Sequence, residues 1–290
     1  MRATLLALIV ALIAGQAPVP APLPSQNPNE VYICPMDPDV RSHNPGKCAR
    51  CGMALVSGLP DPVEYHMDLN VKPRPVRPGQ PASLEFTVQD PWKNRPVTTF
   101  QVIHEKLFHM FVVSQDLEVF VHNHPTLGSD GKFHYDYVFP KAGMYRVLGD
   151  FYPDGATPQL IAKTVLVSGA APKPVALTRD YSPKDTENLT IELETEPAQP
   201  ISGAETRMVF RLKPADGMEK YLGAWGHMLV ASGDLIDMVH EHPFIADGGP
   251  QVQFNVVLPR ARPYRVWVQF QRKGVVNTAH FDVVVKGLGK

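Results

Sequence analysis

Short runs of alternating apolar and polar residues, separated by Pro, Gly and Asn, dominate this chain. Residues 82–88 (ASLEFTV) alternate strictly, as expected of a strand with one buried face. Runs at 63–71, 98–103, 133–139, 145–150 and 164–167 predict further short strands, with turn signals about every 8–12 residues. A second series, 189–194, 206–212, 252–258, 264–271 and 279–285, follows a GAAPKP linker that starts at Gly169. The predicted fold is mainly β: a small Cys-rich mini-domain at 31–58, then two tandem immunoglobulin-like β-sandwich domains at 61–169 and 175–288.

One stretch organises the rest. Residues 107–125 read LFHMFVVSQDLEVFVHNHP, two β-rich runs around a Ser114-Gln115-Asp116-Leu117 turn, and predict a β-hairpin. Pairing symmetric about the Gln115–Asp116 bond would set His109 opposite His122, with His124 two residues further on the same face. Opposed side chains have Cβ atoms about 4.5–5.5 Å apart, so three imidazoles would converge. Residues 226–243 repeat the pattern without a gap: His227, Met228, Ser232, Asp234, Leu235, His240 and His242 match His109, Met110, Ser114, Asp116, Leu117, His122 and His124. Tyr145-Arg146-Val147 likewise matches Tyr264-Arg265-Val266, so the duplication extends across the domain. Each Tyr, about five residues after a Pro, suits the corner tyrosine of an immunoglobulin-like fold.

In the second copy the histidine face is the more apolar one, which places those rings at the edge of a core. A buried neutral His needs partners for both ring nitrogens. A metal, backbone carbonyls or the repeated Asp116 and Asp234 would all serve. Three His with an open position is also the ligand shell of a hydrolytic zinc site. His104 and His134 have no counterpart in the second copy and read as surface or edge residues.

A chain of 290 residues can bury a sizeable core. Its net charge of −1, without blocks of like charge, leaves nucleic acid a poor partner. The N-terminus, MRATLLALIVALIAG, carries one Arg and an apolar run of about ten residues, the length of a secretory h-region and too short to span a membrane. Residues 1–17 read as a signal peptide, with an uncleaved anchor as the alternative, and 18–30 as a Pro-rich linker. The expected location is extracytoplasmic, periplasmic or secreted, with no membrane span in the mature chain.

All three cysteines, Cys34, Cys48 and Cys51, lie in residues 31–58. Cys48-Ala49-Arg50-Cys51-Gly52 lets two sulfurs face one ion, with Gly52 permitting the tight turn behind them. Cys34-Pro35-Met36, Pro45-Gly46-Lys47-Cys48 and Cys51-Gly52-Met53 together resemble the small heavy-metal-binding domain of bacterial copper and silver efflux adaptors and copper-transporting P-type ATPases. The resemblance covers about 25 residues. That family has His directly after Cys-Pro-Met, where this chain has Asp37; Asp37 or His43 would then supply the fourth ligand. The soft set Cys34, Cys48, Cys51, Met36 and Met53 favours Cu(I), Ag(I) or Zn(II). A closed structural zinc site and a Cys48–Cys51 disulfide are the alternatives. The hairpin and the FPKAGMYRV segment also resemble regions that follow such domains in secreted bacterial proteins of unassigned role.

The expected function is capture, sequestration or delivery of a heavy metal, copper or zinc, with an efflux component as a prospective partner. An interaction protein with a purely structural metal, and a zinc enzyme built on the His hairpin, are the other readings. No phosphate loop, Ser/His/Asp signature or HExxH motif is present. The lack of Cys in the sandwiches excludes a blue-copper site there.

Overall fold

The computed structural model describes residues 31–34, 40–49, 52–57, 64–91, 95–154 and 156–289. Every regular element among them is a strand, and none is a helix long and apolar enough to cross a membrane. The chain divides into two compact units, Met1–Pro62 and Val63–Lys290. In the first, β1 (Tyr32–Ile33) pairs antiparallel with β2 (Arg41–Ser42) and β3 (Val56–Ser57). The signal peptide, the Pro-rich linker, Met36, Asp37 and Cys51 lie outside the described residues.

The second unit holds two tandem immunoglobulin/fibronectin-III-like sandwiches. In the first, β4 (His66–Lys72), β5 (Pro81–Asp90) and β8 (Phe133–Val138) form one sheet, in that order. The facing sheet has the order β10 (Gln159–Val167), β9 (Gly143–Phe151), β6 (Phe108–Ser114), β7 (Phe120–Asn123). The second sandwich repeats this. β11 (Thr190–Glu196), β12 (Glu205–Lys213) and β15 (Gln251–Val257) face a sheet ordered β17 (Val275–Val284), β16 (Pro263–Arg272), β13 (His227–Ser232), β14 (Met238–Glu241). β5 shows why: Ala82, Leu84, Phe86 and Val88 alternate inward while their neighbours face out.

Both corner tyrosines form. Tyr145 Oη donates to Lys141 O at 2.9 Å, and Tyr264 Oη to Arg260 O at 3.0 Å. The strand expected at 98–103 does not. Its Phe100 packs on the core from a loop, as does the preceding Val97, and Ile103 and Lys106 exchange backbone hydrogen bonds of 2.9 and 3.0 Å around a two-residue turn. His104 and Glu105 occupy that turn with φ of 47° and 65°, a type I′ geometry that side chains rarely adopt.

Each sandwich has its own core, and a third core lies between them. Phe111, Val113 and Leu148 of the first pack against Leu229, Ala231 and Trp267 of the second. Phe120 stacks on Trp267 with centroids 5.1 Å apart, the kind of pair that adds about 0.5–1.5 kcal/mol beyond area burial. Arg265 is buried across this boundary, bonded to Asp282 at 2.8 Å and to Leu117 O at 3.1 Å. β6 and β13 are therefore buried on both faces. That accounts for the apolar character of the second copy's histidine face. Its rings lie between two packed sheets rather than at the edge of one core.

Candidate metal centre

The hairpin pairs Phe111 with His122 and Val112 with Val121. This register is shifted by two residues from the expected one. The loop centres one residue later because Leu117 takes a left-handed conformation (φ 59°), and Ser114 Oγ accepts from Val119 N at 2.9 Å while donating to Asp116 at 2.6 Å. A two-residue shift preserves the face, so His109, His122 and His124 still converge. The second copy has the same register, with Leu229 opposite His240, and the same turn, with Leu235 at φ 56°.

In the first triad, His109 Nδ1 lies 3.2 Å from His122 Nε2 and 3.2 Å from His124 Nε2. Three nitrogens bound tetrahedrally to one ion at 2.0–2.1 Å lie about 3.3 Å apart, so these spacings fit a three-His shell. The outward nitrogens of His109 and His122 are committed elsewhere. His109 Nε2 donates to Ile103 O at 3.0 Å, and His122 Nδ1 donates to Gln269 Oε1 at 2.8 Å. A carbonyl only accepts, and Gln269 is held in this orientation because its Nε2 donates to Thr278 Oγ1 at 3.1 Å. A neutral ring has one N–H, so His109 Nδ1 and His122 Nε2 face each other with lone pairs.

The second triad uses the same atoms. One nitrogen from each of His227, His240 and His242 lies within 4.8 Å of the others. His227 Nε2 donates to Tyr221 O at 2.9 Å, from a turn equivalent to the one holding Ile103. His240 Nδ1 bonds the Asp150 carboxylate. The inward atoms, His227 Nδ1, His240 Nε2 and His242 Nε2, are buried and have no hydrogen-bond partner among the described residues. Outward nitrogens of His109, His122, His227 and His240 held by carbonyls and a carboxylate, with the opposite ring nitrogens converging, are the supporting arrangement of metal-bound histidines.

Burial disfavours the charged form of His109, His122, His124, His227 and His242. It pushes His109 down to about 4 and His124 and His227 to about 3, and it also depresses His122 and His242. Neighbouring imidazoles add to the effect: His227 acts on His122, His109 on His124, and His240 on His242. The repeated aspartates do not cap the rings. Asp116 pairs with Lys141 at 2.5 Å and Asp234 with Arg262. His104 is not a bystander: its turn carries it across to the second triad, where it stacks on His242 with centroids 3.7 Å apart. His134 is half-buried and pairs with Asp130 at 3.0 Å.

In the amino-terminal unit, Cys34 and Cys48 are buried, whereas His43 and Met53 are exposed. Cys48 N donates to Met53 O at 2.8 Å and Gly52 N to Cys48 O at 2.9 Å, closing the knuckle around Gly52 at φ 78°. That positive φ is the conformation the sequence required of Gly52.

Residues 62–168 and 184–287 match the model of a domain of unknown function (DUF8832). The chain belongs to the DUF8832 family. Residues 31–57 match the heavy metal binding domain, in agreement with the resemblance of the Cys motif. No curated protein matches the chain. Among solved structures, the DUF8832 chain is similar to the Escherichia coli adhesin FdeC, at 13% identity, covering 82% of this chain and 71% of that one with a TM-score of 0.25. It is also similar to a titin segment (11% identity, 78% and 100% covered, TM-score 0.22). Fibronectin(III)-like modules of Clostridium thermocellum CbhA give 10% identity, 76% and 95% covered and a TM-score of 0.22.

Proposed function

We propose that this DUF8832 protein is an extracytoplasmic heavy-metal-binding protein that captures a soft ion, copper foremost, and sequesters or delivers it. One observation carries the reading: a chain that already holds a heavy metal binding domain also converges buried, neutral imidazole nitrogens whose proton-bearing partners point outward. The thiolates of Cys34, Cys48 and Cys51 exchange ligands with the incoming ion, and soft donors favour Cu(I) or zinc over hard ions. The His triads hold metal more deeply, between the two sandwiches. A metal efflux component is the matching partner for delivery. The role is binding rather than catalysis: Asp150, the carboxylate bonded at the second triad, is engaged by His240 on the side away from the inward nitrogens.

Metal content of the full chain purified anaerobically tests this, comparing wild type with Cys48→Ser/Cys51→Ser and His109→Ala/His122→Ala. The cysteine variant should lose Cu(I) capture and keep metal at the imidazoles, and the histidine variant should lose about one equivalent. If both variants retain the full wild-type metal content, the reading is wrong.

A further inference from the structure

We infer that the two triads are halves of one binuclear metal centre, built across the interface between the sandwiches and open to a small bridging anion. The inference rests on metal binding at the triads and adds their pairing. Within the triads, ring centroids are 5.4 Å apart for His109–His122, 5.0 Å for His122–His124 and 4.8 Å for His227–His242. Across the interface they are 5.2 Å for His122–His227 and 6.1 Å for both His109–His227 and His109–His240. The six rings form one cluster: the halves meet directly at His122 and His227, and Phe111 packs on both, at His122 and His240.

Each half depends on the other sandwich. His122, on β7, is oriented by Gln269 of β16; His240, on β14, is oriented by Asp150 of β9. These are the same contact reciprocated, because Asp150 and Gln269 stand at matching positions, each five residues after the corner tyrosine. Neither triad has its full set of orienting partners within a single sandwich.

A cleft of about 300 Å³ reaches both halves, lined by His109 of the first triad and by His240 and His242 of the second, with His104 and Asp150 beside them. A water takes about 30 Å³ of liquid volume, so the cleft admits a small ligand. Charge argues that the ligand is anionic. Two cations this close repel, Phe111 packs on both His122 and His240, and the cleft supplies two carboxylates, Asp150 and Glu241, beside the cation Lys106. An anion entering from the cleft would offset the remaining charge.

The test uses the full chain carrying Cys34→Ser, Cys48→Ser and Cys51→Ser, titrated with Cu(II) and followed by electron paramagnetic resonance. The expected result is an isolated copper signal at one equivalent. At two equivalents a spin-coupled spectrum with a half-field transition should replace it, and azide should perturb that spectrum. His122→Ala and His240→Ala should each retain one equivalent and lose the coupling. Two equivalents whose spectrum is the sum of the two single-triad variants would overturn the pairing while leaving metal binding at the triads intact. One equivalent at saturation would also overturn the pairing. No copper bound would overturn both the pairing and the triads as metal sites. A coupled spectrum unmoved by azide would overturn the bridging anion.

Discussion

The two triads share inner atoms and differ in what stands behind them. Both present Nδ1 from the first histidine and Nε2 from the second, and both anchor the first ring on a carbonyl from a tight turn. Behind the middle ring the copies part: His122 leans on the neutral amide of Gln269, His240 on the carboxylate of Asp150. The tight turns differ as well, with His104-Glu105 in one copy and Leu222-Gly223 in the other. His104 stacks on His242 of the opposite triad, whereas Tyr221 meets His122 edge-on at 6.1 Å. The duplication has therefore kept the ligands and let their supports diverge. A carboxylate on the far nitrogen makes an imidazole a stronger donor, so on the proposed reading the second triad would suit a more highly charged ion than the first.

The largest effect expected of this comparison is loss of a site. His240→Ala should remove the second equivalent of metal and His122→Ala the first, measured by metal analysis after dialysis. Next comes the support: Asp150→Asn should weaken the second triad about 10–100-fold and leave the first unchanged. Gln269→Glu should tighten the first triad, bringing the two affinities together in a competition titration. If Asp150→Asn weakens both triads equally, the distinction between them fails.

Removal of metal should show in stability. An unpaired buried nitrogen costs about 1–3 kcal/mol, against a total stability of about 5–15 kcal/mol for a typical domain. Metal at 1,000 times its Kd would return about 4 kcal/mol, and calorimetry should find a higher Tm in the loaded protein. The stripped protein should also be acid-sensitive. The unfolded imidazoles titrate near 6.5, whereas folded His109 titrates at about 4 and His124 and His227 at about 3. Below pH 6.5 the unfolded chain binds protons that the folded one refuses. Stability is therefore fully present above about pH 6.5 and falls as the pH drops toward 4 and then 3. Each such group contributes a slope of about 1.4 kcal/mol per pH unit. Denaturant melts at pH 7.5, 6 and 5 would measure it; a flat profile would mean that the rings are already charged in the folded state. The smallest effect is structural. Tyr145→Phe loses the hydroxyl that donates to Lys141 O and accepts from Lys141 N, and should cost about 1 kcal/mol, without changing the metal content.

Much of this was legible in the residues. Period-two runs gave the strands, the equal spacing of His109, His122, His124 and their counterparts gave the repeat, and Tyr145 and Tyr264 gave the corners. The register shift came from Leu117 and Leu235 adopting positive φ, which a branched apolar side chain does not announce. Asp150 and Gln269 were invisible because they act on the opposite repeat, and alternation within a strand cannot say that two sandwiches will pack face to face. His104 reads as a surface residue in the sequence for the same reason. The double burial of β6 and β13 was the one available hint, in the apolar histidine face of the second copy.

The central claim is that the inward ring nitrogens are metal ligands. Anomalous diffraction at the copper edge, from crystals of the full chain loaded with copper, tests it most directly. The account predicts a peak at each triad, about 2.0–2.1 Å from the nitrogens: Nδ1 of His109 with Nε2 of His122 and His124, and Nδ1 of His227 with Nε2 of His240 and His242. Copper peaks confined to the amino-terminal unit, with both triads empty at saturating copper, would contradict it.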